Sequence, residues 1–250
     1  MELAGLELTS RIGLGSNRLT KTDKNVAFIR AAVEAGVQLI DTAHLYTGGE
    51  SEETIGAALA QPHQGSMIAT KGGYNSGTPE VLRAEIEQSR RSLRSESIAL
   101  YYLHRVSPDT PLEDSLRALK EFVDRGVIRN IGLSQVDVDQ VETARKVVDI
   151  AAVQNWYSLS ERKNDQLVDY CEREGIPFVA FFPLRDTDSP TVREIARAHG
   201  ATPHQIALAW LLRRSPVVVP IPGTLSLDHL KENLAAQDIE LTDKDVESLR

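Results

Sequence analysis

Asp41, Tyr46, Lys71 and His104 are the residues of this chain whose chemistry suggests a proton relay. A phenol has an ordinary pKa near ~10 and does not readily release its proton at neutral pH. An ammonium beside it stabilises the phenolate and is expected to lower that value. A carboxylate paired with the ammonium keeps it charged and in place. On this reading Tyr46 is the acid, Lys71 its tuner and Asp41 the partner of Lys71. His104 can donate to a carbonyl oxygen, orienting and polarising it. Each residue also has an ordinary alternative: a turn cap, a solvated lysine, a packed phenol, a half-buried core histidine. What separates them from those alternatives is position, because each stands at or just beyond the end of an apolar run.

There are eight such runs: SRIGLGS, VQLIDTA, SMIATKG, IALYYLH, IRNIGLS, IAAVQNW, PFVAFFPL and PVVVPIPG. Most are apolar almost throughout, as expected of parallel strands covered on both faces. Helical patterns lie between them. Glu50 or Ser51 opens SEETIGAALA, Pro79 opens PEVLRAEIEQSRRSLR, and Pro111 opens PLEDSLRALKEFVDRG with Gly126 as its stop. Proline in a first turn forfeits no hydrogen bond, and a terminal glycine takes a left-handed cap at little cost. Eight strand–helix units without a linker predict an α/β chain folded as one (β/α)8 TIM barrel, a single domain over 1–250. The patterns TVREIARAHG and ATPHQIALAWLLRRS double the helix before the eighth strand. An open doubly wound sheet is rejected, because GLGSNRLTKTD lacks the third glycine and the immediate helix of a dinucleotide-binding turn. In a parallel barrel the strand ends share one rim, so Asp41, Tyr46, Lys71, His104, Ser134, Gln154 and Asn155 should converge over one opening.

Composition narrows the function classes. The 250 residues carry a formal charge of −8, which argues against a nucleic-acid partner or an anionic membrane surface. No apolar run approaches the ~20 residues of a membrane span, and MELAGLELTSR lacks the basic start and apolar core of a signal peptide. A cytoplasmic location is expected. Cys171 is the single cysteine; in VDYCEREG it reads as a buried structural thiol, and it excludes an intrachain disulfide. His63, His199 and His204 read as surface residues, and no spacing suggests a metal site.

DTAHLYTGGESEETIGAAL, ATKGG, YYLHRV, IGLSQ, VQNWYSL and IPGTLSLDHLKENL, taken in order, resemble the signature elements of the aldo-keto reductase superfamily. The resemblance implies a (β/α)8 enzyme transferring hydride from NAD(P)H to an aldehyde or ketone, without metal or flavin. It aligns Asp41, Tyr46, Lys71 and His104 with the family's catalytic tetrad. It also implies that Ser134 and Gln154 bond the nicotinamide carboxamide, with Gln135 where Asn is commoner. Phe181, followed by Pro183 and Leu184, stands where a tyrosine stacks on the ring, and phenylalanine keeps that π face. Gly15 and Ser16 fall in the same cofactor set. Thr224 and Ser226 precede a helix whose N-terminus suits a phosphate, and Glu232 and Asn233 match adenine contacts.

Gly223 replaces a frequent lysine and His229 a common arginine, so NADPH is the expected cofactor with weakened discrimination against NADH. Only RDTDSP separates Leu184 from the next helical pattern, and LTDKDVESLR ends the chain without an extended substrate loop. Fast cofactor exchange and an open pocket are therefore expected. Asn17, His44, Tyr74, Arg105 and Trp156 flank rim positions and are the expected contacts to a small-molecule carbonyl substrate. Two rivals stay open at this point: a non-catalytic cofactor-binding regulatory subunit, and a barrel lyase or isomerase using Lys71 as a Schiff base. Oligomeric state and the identity of the substrate are not encoded in any motif.

Overall fold

All eight apolar runs become strands, and a hairpin that no periodic run announces precedes them. The computed structural model describes residues 1–59 and 65–249. The hairpin pairs β1 (Glu2–Leu3) with β2 (Leu6–Glu7) in antiparallel register. Its two-residue turn, Ala4 at φ 50° and Gly5 at φ 84°, has both central residues left-handed, the twist that joins short antiparallel strands without splaying them.

The parallel strands follow as β3 (Leu14–Gly15), β4 (Leu39–Asp41), β5 (Met67–Gly72), β6 (Leu100–Leu103), β7 (Ile131–Ser134), β8 (Ile150–Trp156), β9 (Phe178–Phe181) and β10 (Val218–Pro220). Each pairs with its sequence neighbour, from β3 to β10. The ends then meet: Gly13 N–H donates to the Pro220 carbonyl at 3.0 Å and Gly15 N–H to that of Pro222 at 3.2 Å. A parallel bridge between Gly15 and Gly223 completes the seam. The sheet is thus a closed (β/α)8 barrel, the predicted fold.

The helices are α1 (Asp23–Glu34), α2 (Glu50–Ala58), α3 (Pro79–Ser92), α4 (Leu112–Asp124), α5 (Val138–Arg145), α6 (Asp165–Glu174), α7 (Pro190–Ala198), α8 (Pro203–Arg214), α9 (Leu227–Ala235) and α10 (Asp243–Ser248). The doubled helix before the last strand is α7 with α8. Glu50, not Ser51, opens α2, behind Gly49 at φ 97°; this frees the Ser51 hydroxyl for the barrel. Pro111 lies one residue outside α4, and Gly126 at φ 73° takes the left-handed position after it.

Leu39, Met67, Leu100, Tyr102, Val179 and Val219 fill the barrel, and Leu3 and Leu8 of the hairpin region join the same cluster. The hairpin is therefore a stopper at the N-terminal end, tied by the Asn130 amide to the Ala4 carbonyl at 3.1 Å. Tyr102 needs Gly132 opposite it, since a Cβ there would meet the ring at 2.4 Å.

Cys171 is buried, and burial pushes its thiol up to about 12, which makes it unreactive at neutral pH. His204 is exposed. His199 is not a free surface residue: its Nε2 lies 3.0 Å from the Asp245 carboxylate, joining the end of α7 to α10. His63 lies outside the described residues. Among those residues no helix is long and apolar enough to cross a membrane, and no group of three or more His, Cys, Asp or Glu is arranged to hold a metal ion.

Candidate active site

Parallel register fixes the polar groups at one rim. Gly15 pairs with Asp41, Lys71 with Tyr102, and Ser134 with Gln154. Lys71 is 1% exposed, and its ammonium donates to Asp41 Oδ1 at 2.5 Å and to the Thr42 carbonyl at 2.7 Å. Its third direction faces the Tyr46 hydroxyl at 3.4 Å. The other oxygen of Asp41 accepts from the Gln154 amide at 2.7 Å. Ser16 donates its N–H and its hydroxyl to the Asp41 carbonyl, at 3.0 and 2.8 Å. Ser51 Oγ sits between Ser16 Oγ (2.9 Å) and Thr42 Oγ1 (2.7 Å).

Tyr46 arrives on the loop after β4. Thr47 (φ 50°), Gly48 and Gly49 turn the chain left-handed directly behind it, and the Thr47 hydroxyl anchors that turn to the Leu19 carbonyl at 2.7 Å. His104 follows β6, its N–H donating to the Gly72 carbonyl at 2.7 Å. Its ring stands edge-on to Tyr46, with centroids 6.0 Å apart, and to Tyr74 at 4.9 Å.

Burial works against the Lys71 ammonium, but the Asp41 carboxylate and the Tyr46 oxygen together outweigh it and raise its pKa above the ordinary lysine value. Burial raises the Asp41 carboxyl, and Lys71 and the Gln154 amide pull it back. The charged pair is held inside the protein by three directional hydrogen bonds, the condition for a buried ion pair to persist.

The tuning expected of Lys71 needs correction. Tyr46 has its pKa raised, not lowered: burial dominates, and Lys71 only opposes it. The phenol is therefore a stable neutral donor. Such a phenol could give up its proton only to a strong base formed beside it, and the ammonium would then stabilise the phenolate. Burial, then Lys71 and Arg105, push His104 down to about 3. The imidazole is neutral, with one N–H to donate.

A cleft of about 600 Å³ opens above this line, within the usual size of small-molecule sites. Of the residues expected there, Gly15, Ser16, Asn17, Asp41, Tyr46, Tyr74, His104, Arg105, Ser134, Gln135, Gln154, Phe181, Pro183, Leu184 and Gly223 line it. Lys71 lies just beneath. His44 does not reach the cleft; it borders a second cavity that Tyr74 also lines, and its backbone N–H donates to the Lys71 carbonyl. Trp156 sits behind Phe182, edge-on at 6.0 Å.

Thr224, Ser226, His229, Glu232 and Asn233 also lie off the cleft lining. Ser226 caps α9 by accepting the His229 N–H at 3.4 Å. The Glu232 carboxylate accepts from the Thr202 hydroxyl at 2.6 Å, tying α9 to α8, and Asn233 is buried. Gln135 adopts φ 57°, a left-handed conformation that asparagine enters more readily.

Several liners are not singled out by the sequence reading: Arg18, Leu45, Phe182, Arg185, Ile221 and Pro222. Arg18 and Arg185 could have been found as the first cations beyond the first and seventh strand ends. Phe182 could not, since its φ of 51° aims the ring.

The side-chain-free surface at Gly15 and Gly223, the Phe181 and Phe182 rings, and the cations Arg18 and Arg185, which have no acid partner among the described residues, suit a flat heteroaromatic ring with an attached anion. At Gly15 a Cβ would meet the Ile221 carbonyl at 2.8 Å.

The sequence model of the aldo/keto reductase family matches residues 10–250. Pyridoxine 4-dehydrogenase of Escherichia coli is 34% identical, over 98% of this chain and 95% of its own. A thermostable aldo-keto reductase solved with the inhibitor epalrestat superposes at a TM-score of 0.92 and 33% identity, covering 100% of this chain and 97% of that one. An aldo-keto reductase from Klebsiella pneumoniae solved in complex with NADPH superposes at 0.89 and 27% identity, covering 100% and 94%. A closed barrel with a buried lysine–aspartate pair beneath a rim phenol, matched along its length by these proteins, belongs to the aldo/keto reductase family.

Proposed function

We propose that the protein is an NADPH-dependent carbonyl reductase in which Tyr46 protonates the oxygen of an aldehyde or ketone. The observation that carries this reading is the line from Asp41 through Lys71 to the Tyr46 hydroxyl, at 2.5 and 3.4 Å, beside a neutral His104. Gly15, Phe181, Ser134 and Gly223 would hold the nicotinamide half of the cofactor, with Arg18 and Arg185 near its phosphates. When bound, the cofactor would supply hydride for the carbonyl carbon. His104 orients the carbonyl oxygen through a neutral N–H donor. Tyr46 passes its proton to that oxygen as negative charge develops, and Lys71 neutralises the phenolate left behind. Asp41 and the Thr42 carbonyl keep the ammonium from turning away.

The same three contacts speak against a Schiff-base lyase. An amine nucleophile must be neutral, and here its carboxylate partner favours the charged form. Support for a nicotinamide cofactor comes from the Klebsiella pneumoniae relative, which is described in complex with NADPH. NADH use remains consistent with glycine at position 223.

The test is Tyr46→Phe, assayed by NADPH oxidation with a panel of aldehydes and ketones that includes pyridoxal, the carbonyl counterpart of the Escherichia coli relative's substrate. Turnover should fall about 10²- to 10⁴-fold while NADPH affinity, read by fluorescence titration, stays near wild type. Retained turnover would remove the phenol from the mechanism.

A further inference from the structure

Charge in the cleft runs opposite to charge in the chain. The chain carries −8, yet the cleft is lined by Arg18, Arg105 and Arg185, and its one lining carboxylate, Asp41, is already paired with Lys71. Elsewhere some arginines bond backbone carbonyls, as Arg11 and Arg30 do, and others find acids: Arg83, Arg117, Arg193 and Arg214 each lie within 3.0 Å of one. Among the described residues none of the three cleft arginines does.

Their settings differ. Arg18 reaches the Gly223 carbonyl at 3.4 Å, on the seam of the barrel, and Arg185 lies over Trp156 at 5.3 Å. Arg105 is the neighbour of His104 in sequence. Its guanidinium carbon lies over the Tyr74 ring, 4.0 Å from the centroid, and Tyr74 in turn packs edge-on against His104. Contact with the ring holds the guanidinium without using its N–H groups, which can then receive a carboxylate or phosphate through two parallel hydrogen bonds. No hydrogen bond to a described residue occupies those N–H groups.

We propose that Arg105 determines specificity by selecting carbonyl substrates that carry an oxyanion, a carboxylate or a phosphate, on the same small molecule. The proposal rests on the reductase reading and names its substrate class. The charge docks on the Tyr74 side of His104, so the carbonyl falls between the imidazole and the phenol. Arg105 is solvent-exposed, so water and salt weaken the attraction, and the selectivity expected is about two- to fivefold.

Two matched pairs test this: 4-carboxybenzaldehyde against benzaldehyde, and glyceraldehyde 3-phosphate against glyceraldehyde, each by kcat/KM. The wild type should prefer the anionic member of at least one pair, and which pair responds identifies the oxyanion. Arg105→Gln should bring that ratio close to one through the KM of the anionic member. Arg105→Lys, with charge but no fork, should fall between. Added NaCl should shrink the wild-type preference. A wild-type ratio near one, or a preference untouched by Arg105→Gln, overturns the proposal. Should neither pair be reduced at all, the reductase reading fails. The anion site is then judged by fluorescence titration with benzoate and benzamide: benzoate binding lost in Arg105→Gln upholds it, and unchanged binding overturns it.

Discussion

Two flanks of the rim face the same cleft with opposite constructions. On the flank of β4, β5 and β8, the buried charges themselves are tied. Lys71 has Asp41 and Thr42, Asp41 has Lys71 and Gln154, and Ser16, Ser51 and Thr42 form a hydroxyl chain behind them. On the flank of β9, β10 and the start of α9, the cleft meets rings and bare backbone. Phe182 is 46% exposed, Gly223 has no side chain, and the Thr224 hydroxyl accepts only a local N–H from Ser226 at 3.0 Å. A charge inside a barrel persists only with fixed partners, because its desolvation must be offset by directional contacts. A grip on a long ligand can be spread over many replaceable ones.

The largest expected effect breaks the first flank. Lys71→Met leaves Asp41 buried without its cation and should destabilise the protein by about 3–5 kcal/mol, measured by urea unfolding, and abolish turnover. Adding Asp41→Leu should recover most of the stability and none of the activity. A single variant as stable as wild type would show that the pair is not held as described.

A smaller effect concerns His104, on the β6 edge of the tied flank. Its pKa falls from 6.5 to about 3 on folding, so between those values the unfolded chain binds more protons than the native one. Its contribution to stability is intact above pH ~6.5 and is lost as the pH drops toward ~3. His104→Gln should flatten the stability profile in that window. In turnover, no limb between pH 5 and 8 should disappear with the variant.

The smallest effect sharpens the second flank. A Cβ at Gly223 would sit 3.3 Å from the Gly15 carbonyl and 3.7 Å from Asn17 Oδ1, so a side chain enters with only a slight shift. Gly223→Lys should change stability by no more than about 0.5 kcal/mol and raise the NADPH-over-NADH preference about three- to tenfold. Competitive titration of the two cofactors reads it. An unaltered ratio would place the phosphate elsewhere.

The same contrast governs what was legible before folding. The eight strands and the convergence of Asp41, Tyr46, Lys71 and His104 could be read because β-rich runs ending in Asp41, Lys71 and His104 are local signals, and parallel register converts strand ends into neighbours. The hairpin escaped notice because two-residue strands leave no periodicity. His44 and Leu45 were indistinguishable as cleft contacts in sequence; which one faces the opening depends on the turn at Thr47 and Gly48. The direction of the Tyr46 shift is not a local signal for a related reason. Proximity to Lys71 follows from topology, but the depth of burial that outweighs it emerges only from three-dimensional packing. On the second flank, motif positions such as Glu232 were identified by pattern, whereas their side chains answer to the α8–α9 contact.

The stopper formed by the first seven residues has a consequence for the electric environment above it. With the floor shut, the lysine–aspartate pair meets bulk solvent from one direction alone. Any flat occupant of the opening therefore acts as a roof, and the local dielectric drops as it settles. The strength with which the ammonium would favour a phenolate is set at that moment by the occupant itself.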